Sequence, residues 1–380
     1  MHDGPVVVFS GGGTGGHLYP ALAIADAFRQ LRPDASAFFV GATRGIESRI
    51  LPQRGEDHVL LPVLGIDRAR PLSSWRTGLA LLRSLYSVGE LFRRLRPEAV
   101  VVTGGYAGAP AGFVAGLMGI PLLLQEQNSV PGVSTRVLSR MASAIHIAFP
   151  EALTHLPASV QDRVQVSGNP VRPAPHHSTE VARSEFSLPR DAFVVLVTGG
   201  SQGSKALNAV VGDAVRGVAE GRLQRPDTLR LLWSTGPSHF DGVSNALTRL
   251  GTDWVTALPY IEEMPVALAA ADLAVSRSGA MTTAEFLNQG LPALLVPLPS
   301  AAANHQAHNA EALATAGAAR VMAEQGLTGE ALWAEIMTLA SQPSALKAMR
   351  HAAQTRALPG AANTIAAAVN ALLSARGSAL

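Results

Sequence analysis

The stretch Val6–Phe28 reads VVVFSGGGTGGHLYPALAIADAF: an apolar β-branched run, five glycines around Thr14, a histidine, then a helical pattern. Glycine-rich turns between strand and helix bring backbone N–H groups and a helix N-terminus close to an anion. Gly11, Gly13 and Gly16 have the spacing of a dinucleotide fingerprint. That reading requires an acidic residue about 20 residues on, at the tip of the second strand. The second strand is AFFVG, Ala37 to Gly41, and Ala42 and Thr43 follow it without a carboxylate, which argues against a dehydrogenase. Gly11 and Gly16 also have phosphate-loop spacing, but His17 and Leu18 stand where lysine and a hydroxyl are needed, so an ATPase is excluded. What remains is an anion-tolerant turn carrying a histidine, a side chain able to accept and donate a proton.

Outward from that turn, apolar runs alternate with helical patterns, which predicts parallel sheets covered by helices. Strands are expected at Val6–Phe9, Ala37–Val40, Val59–Leu61, Ala99–Thr103, Leu122–Gln125 and Ala144–Ala148. VSGNPVRPAPHHS, Val166–Ser178, has the composition of a linker. The pattern then restarts at Phe193–Val215, FVVLVTGGSQGSKALNAVVGDAV, again strand, glycine turn and helix. Further strands are expected at Leu229–Ser234, Trp254–Ala257, Leu273–Ser276 and Ala293–Val296, and Gly290 and Gly317 read as helix stops, the second after a helix over Ala307–Ala316. The expected fold class is α/β, with two Rossmann-like parallel-sheet domains. Residues 1–165 form the first and 166–354 the second, and the alanine-rich segment within 355–380 packs back on the first.

Composition narrows the function. At 380 residues, with 47% hydrophobic and 15% charged residues, the chain can build two cores. No cysteine is present, so disulfides, thiol nucleophiles and cysteine-bound zinc are excluded. The eleven histidines contain no HExxH pair, and His176 and His177 read as exposed linker residues; no metal site and no cofactor are expected. A net charge of +2 gives little reason to expect nucleic acid. The start MHDGPVVVFS has no basic n-region, so no signal peptide is expected and the chain should stay in the cytoplasm. The longest apolar run, Ala111–Leu124, is broken by glycines and Pro121 and is too short to span a bilayer.

Seven segments stand in order: GGGTGGH (Gly11–His17), TGGYAGAP (Thr103–Pro110), EQNSVPG (Glu126–Gly132), GNPVR (Gly168–Arg172), TGGSQGS (Thr198–Ser204), SRSGAMTTAE (Ser276–Glu285) and NHQAHNA (Asn304–Ala310). In this order and spacing the chain closely resembles the MurG family over essentially its whole length. The resemblance implies a GT-B fold, two Rossmann-like domains facing a cleft. It also implies an inverting hexosyltransferase that moves N-acetylglucosamine from UDP-GlcNAc to the 4-hydroxyl of MurNAc in lipid I, forming lipid II. Roles in peptidoglycan synthesis, cell shape and cell division come with it, as does a peripheral place on the cytoplasmic face of the inner membrane, among cell-wall synthesis proteins. Two departures stand out: Gly108 lies where the family commonly has serine, and PSAAANHQ, Pro299–Gln306, is alanine-rich near the expected sugar site.

By resemblance, His17 and Tyr106 face the acceptor. His17 either takes the proton from the acceptor hydroxyl or orients the acceptor and its pyrophosphate. Thr14, Gly15, Gly16, Asn128, Arg172, Ser201, Gln202, Tyr260, Ile261, Met264, Glu285 and Gln306 are expected to bind the donor. TGGSQGS offers consecutive backbone donors to the diphosphate. Glu285 would bind both ribose hydroxyls, Tyr260, Ile261 and Met264 would enclose the uracil, and Asn128 and Gln306 would meet the sugar. A substrate with an undecaprenyl tail demands an anionic membrane surface as partner. Asp67–Pro97 combines Leu72, Trp75, Leu79 and Leu82 with Arg68, Arg70, Arg76 and Arg83, which suits an interfacial site. A UDP-GlcNAc 2-epimerase and a non-catalytic UDP-GlcNAc-binding scaffold stay open as alternatives.

Overall fold

The computed structural model describes residues 4–63, 74–171 and 177–377; at 74–79 and 376–377 only the backbone belongs to the description. The chain divides into two compact units, Met1–Arg172 with Leu358–Leu380, and Pro173–Ala357.

The first unit runs β1 (Val6–Ser10), α1 (Gly15–Leu31), β2 (Ser36–Ala42), α2 (Glu47–Gln53), β3 (His58–Leu61), α3 (Ser74–Leu95), β4 (Ala99–Val102), α4 (Gly105–Leu117), β5 (Leu122–Glu126), α5 (Val133–Leu138), β6 (Ala144–Ile147) and β7 (Val164–Val166). Its strands form one parallel sheet in the order β3-β2-β1-β4-β5-β6-β7. The second unit runs α6 (Thr179–Glu185), β8 (Phe193–Thr198), α7 (Lys205–Ala219), β9 (Leu229–Ser234), α8 (Phe240–Leu250), β10 (Val255–Leu258), α9 (Met264–Ala270), β11 (Leu273–Ser276), α10 (Ala280–Gln289), β12 (Ala293–Leu295), α11 (His305–Thr315), β13 (Ala319–Val321), α12 (Gly329–Ala340) and α13 (Pro343–Arg356). Its sheet order is β10-β9-β8-β11-β12-β13. The chain then returns to the first unit as α14 (Ala361–Gly377).

Each sheet is built outward from its first strand and then crosses back beside it. From β1 the chain winds through β2 to β3 and resumes at β4, on the other side of β1; from β8 it winds to β10 and resumes at β11. A sheet wound this way has a topological switch point, and the crevice beyond the carboxyl ends of the two central strands is where ligands bind. The central strands are buried on both faces, which explains their unbroken apolar spelling: VVVFS, AVVV, FVVLVT and LAVS.

Three expectations need correction. The three-residue edge strands β7 and β13 were not expected; because β7 pairs with β6, the division falls at Arg172/Pro173 rather than 165/166, with the return at Leu358 rather than 355. The helix expected over Ala307–Ala316 runs from His305 to Thr315. Contrary to the expectation of no membrane-length apolar stretch, Pro343–Ala375 has the length and hydropathy of one. Residues 357–360 interrupt it between α13 and α14, however, and Ile365, Ala366, Val369 and Leu373 are buried with Leu22, Ile24 and Phe28 of α1 in the first unit's core.

Candidate functional site

The first switch point brings together two glycine segments and a buried amide cluster. His17 stands in the first turn of α1, after Thr14 at the N-cap, whose side chain makes no capping bond. Thr103 follows β4 and locks the two segments: its hydroxyl donates to the His17 carbonyl at 2.7 Å, while its own carbonyl lies 3.0 Å from His17 Nδ1. The glycines of TGGY are needed because the backbone passes directly over the imidazole. A Cβ on Gly104 (φ +92°) would come within 3.0 Å of His17 Nδ1, and one on Gly105 (φ +75°) would lie 2.2 Å from the Gly12 carbonyl oxygen. Left-handed backbone also favours glycine at both places. This segment thus packs the histidine.

The GGGTGG turn is finished by a residue that sequence reasoning missed. Glu47, fully buried at the start of α2, accepts from the Gly13 N–H with both carboxylate oxygens, at 2.9 and 3.0 Å, and from the Ala42 N–H at 2.8 Å. The missing acid at the strand tip is therefore present five residues later, as an internal anion for the turn rather than a ribose ligand. Tyr106 closes the other side, its ring lying where a Cβ on Gly13 would be, 2.5 Å from Cε1. Burial, then the neighbouring Glu47, raises the Tyr106 phenol above its usual range.

At the end of β5, Glu126 is another buried carboxylate turned inward. It accepts from the Asn128 N–H at 3.0 Å and side-chain amide at 3.2 Å, from the Gly132 N–H at 3.0 Å and from the Thr135 hydroxyl at 2.6 Å, shaping the loop that carries Asn128. Thr14, Gly15, Gly16, His17, Tyr106 and Asn128 all follow the carboxyl ends of β1, β4 and β5, so the first unit gathers them at one sheet edge. At Gly108 a Cβ would meet Val102 Cγ1 at 2.9 Å and the Ser10 carbonyl at 3.2 Å. The departure from serine therefore accompanies close packing of α4 on the sheet.

The second switch point is open where the first is filled. Ser201 and Gln202 are exposed on the turn after β8, and among the described residues their N–H groups have no partner. Gly200 has φ +86°, its N–H donates to Thr198 Oγ1 at 3.2 Å and a Cβ there would meet nothing within 4 Å, while Gly203 (φ +73°) admits no Cβ because the Thr235 carbonyl would be 2.0 Å away. Ser204 caps α7 by accepting from the Leu207 N–H at 3.4 Å. Behind it lies Arg277, another residue the sequence reading passed over although it stands in SRSGAMTTAE. Its guanidinium, 6% exposed, donates to Ser204 Oγ at 2.7 and 3.1 Å and to the Val296 carbonyl at 3.0 Å, and pairs with Glu324. Two of these bonds hold the capping residue Ser204, and the others tie the guanidinium to the strand end and to Glu324.

The other donor residues of this unit follow the carboxyl ends of β10, β11 and β12. Tyr260 is exposed, Ile261 is buried and Met264 opens α9. Glu285 lies part-way along α10, and burial pushes its carboxyl up to about 7. Gln306 has its amide oxygen bonded to the Leu298 N–H at 3.0 Å, leaving its NH₂ group for a ligand. It follows Ala303 and Asn304, both in left-handed backbone. Arg172, Arg68, Arg70 and Leu72 lie outside the described residues, as do the side chains of Trp75, Arg76 and Leu79. Leu82 is 65% exposed.

Comparison with known proteins agrees with this arrangement. Residues 7–147 match the N-terminal domain of glycosyltransferase family 28 and residues 194–365 match its C-terminal domain. The UDP-N-acetylglucosamine--N-acetylmuramyl-(pentapeptide) pyrophosphoryl-undecaprenol N-acetylglucosamine transferase of Desulfitobacterium hafniense (strain Y51) is 37% identical over 94% of this chain and 97% of its own length. The transferase of the same name from Salinibacter ruber is 40% identical over 97% of each. Among solved structures, Acinetobacter baumannii MurG superposes with a TM-score of 0.76 at 28% identity, over 96% of this chain and 99% of that one. The UDP-GlcNAc 2-epimerase of Neisseria meningitidis superposes at 0.66 with 15% identity, over 97% and 99%, a likeness of fold alone. The fold is GT-B.

Proposed function

The chain belongs to glycosyltransferase family 28 and, within it, to the MurG transferases; from that premise we propose that its two switch-point turns divide the reaction between them. The protein transfers N-acetylglucosamine from UDP-GlcNAc to lipid I, N-acetylmuramyl-(pentapeptide) pyrophosphoryl-undecaprenol, in peptidoglycan synthesis. In our reading the second turn holds the donor diphosphate. Unpartnered N–H groups at Ser201 and Gln202, backed by the Arg277 guanidinium, suit charge that grows as UDP departs. Glu285 takes the ribose hydroxyls and Tyr260 and Ile261 the uracil. The first turn serves the acceptor: its hydroxyl attacks the anomeric carbon, the carbon–oxygen bond to UDP breaks, and the proton passes to His17. A single displacement inverts the anomeric centre.

The observation that carries this division is the contrast in occupancy: Glu47 takes the Gly13 N–H of the first turn with both oxygens, while in the second Thr198 Oγ1 takes only the Gly200 N–H, at 3.2 Å, and the N–H groups of Ser201 and Gln202 have no partner among the described residues. The test is release of UDP from UDP-GlcNAc, measured with and without a lipid I analogue. Acceptor-dependent release with a β-linked product is expected. Turnover to the 2-epimer without acceptor would instead favour the epimerase reading, and binding without either reaction the scaffold.

Localisation on the cytoplasmic membrane face belongs to the same proposal. Leu82 and Tyr86 of α3, Phe113 and Leu117 of α4 and Val137 of α5 are exposed on adjacent helices, with the exposed Arg83, Arg136 and Arg140 beside them in sequence. Exposed apolar side chains on helices that also carry exposed arginines suit an anionic lipid surface, each cation adding about 1 kcal/mol. Leu82→Ser with Leu117→Ser should reduce pelleting with anionic vesicles severalfold. Undiminished pelleting of the folded variant would move the membrane face elsewhere.

A further inference from the structure

His17 Nδ1 lies 3.0 Å from the Thr103 carbonyl oxygen and 2.8 Å from Gln127 Oε1. A backbone carbonyl can only accept, so the first contact already requires a proton on Nδ1. The second depends on which way the Gln127 amide faces, and its surroundings fix that. The nitrogen of this amide lies 2.7 Å from the Thr103 carbonyl and 3.1 Å from the Gln125 carbonyl, and also donates to Gln125 Oε1. Turning the amide over would set an oxygen among three oxygens and an NH₂ group against Nδ1–H. Gln125 is held in turn by Asn169, which accepts from Gln125 Nε2 at 3.2 Å and donates to the Gln127 carbonyl at 3.1 Å. All three amides are buried, so bulk water does not compete for these bonds. Asn169 belongs to the GNPVR segment, for which the donor reading used only Arg172.

We propose that Gln127, with the Thr103 carbonyl, holds His17 in the tautomer that carries its proton on Nδ1 and leaves Nε2 as the ring's one acceptor, which makes Gln127 a positioning residue for the transfer. Its effect on rate rests on the reading of His17 as the proton acceptor; the tautomer does not. As the acceptor hydroxyl's proton moves to Nε2 the ring becomes an imidazolium. The two bonds from Nδ1–H then strengthen, because a charged donor binds an oxygen more tightly than a neutral one. Titratable groups on the surrounding elements are Tyr19 on the same helix, Glu47 on α2, Tyr106 on α4 and Glu126 at the end of β5. Glu47 and Glu126 are committed to the backbone and hydroxyl donors described above.

Long-range ¹H–¹⁵N spectra of the full chain labelled with ¹⁵N-histidine test the tautomer directly, the His17 signals being assigned by their loss in His17→Asn. A protonated Nδ1 and an unprotonated Nε2 in the neutral ring are expected; the reverse tautomer overturns the proposal. Gln127→Met keeps the bulk and removes the acceptor. It should lower kcat by about tenfold and leave the donor KM within about twofold. An unchanged kcat in the folded variant, or a fall in kcat matched by a rise in donor KM, overturns the positioning role, and if the variant does not fold, the wild-type spectrum still decides the tautomer. If the ring is Nδ1-protonated while His17→Asn turns over normally, the tautomer stands and the assignment of His17 as base falls.

Discussion

At the first switch point Gly13 donates to a buried carboxylate, Tyr106 covers the turn, and the next glycine segment lies on the face of His17. At the second, Ser201 and Gln202 are exposed, their N–H groups without a partner among the described residues, and the buried guanidinium of Arg277, itself paired with Glu324, holds Ser204 at the end of the turn. The starting material is the same: a buried parallel strand, glycines in left-handed backbone and a helix whose N-terminus follows. What differs is whether the turn's N–H groups already have an anion. An internal carboxylate makes the first turn a rigid mount for a side chain, whereas free N–H groups leave the second a receptor for an external anion.

The comparison can be broken most severely at His17. If the first turn is a mount, His17→Ala should lower kcat by roughly 10²-fold or more and change the donor KM by less than about threefold. Steady-state rates at saturating acceptor give both numbers, and normal turnover by a folded variant would sink the assignment. The second turn can be made to imitate the first. Ser201→Asp offers the open N–H groups a carboxylate, which competes with and repels the diphosphate. The donor KM should rise about 30-fold, corresponding to roughly 2 kcal/mol of like-charge cost, with kcat at saturation much less affected. An unaltered KM would mean that the diphosphate lies elsewhere.

Glu285 sharpens the contrast through pH. Burial raises its carboxyl to about 7 from an ordinary 4.5, so in the free protein the ionised form that ribose hydroxyls require prevails only above neutrality. At pH 6 about one molecule in ten is ionised, and the donor KM should stand about tenfold above its value at pH 8. The same shift acts on stability with a defined sign. The native state holds this proton more tightly than the unfolded chain, so the group opposes folding above pH 7, and that opposition is relieved as pH falls from 7 towards 4.5. Glu285→Gln should flatten both profiles; a KM unchanged between pH 6 and 8 in the wild type would contradict the role. The smallest effect belongs to Gly108→Ser, where the new Cβ presses on Val102: about 1 kcal/mol of stability by urea titration and a kcat within about twofold of wild type.

Much of this architecture was legible because its signals are local. Buried parallel strands spell themselves as runs such as FVVLVT, glycines mark the turns, and their repetition at Val6 and Phe193 announced two sheets. The strands that escaped notice, VQV in β7 and ARV in β13, are short edges carrying Gln165 and Arg320, with too few apolar residues to stand out. The histidine and the open turn could be found from their motifs. Glu47 and Gln127 could not be assigned, since their partners come from other strands: Glu47 reaches back 34 residues to Gly13, and Gln127 meets His17 across 110. An acid beyond a strand tip has no spelling that says whether it faces a ribose or a backbone turn.

The return of α14 has a consequence for how the molecule is made. Ile365, Ala366 and Val369 complete a core whose other walls include Val7, Leu22 and Phe28, so a ribosome supplies the last wall of the first unit only after the whole second unit has left the exit tunnel. The nascent second unit, contiguous in sequence, has all its strands by residue 321 and all its helices by residue 356, and can close while the earlier one still lacks a helix. The unit begun first is finished last, and until then the apolar face of α1 is a surface for chaperones to cover.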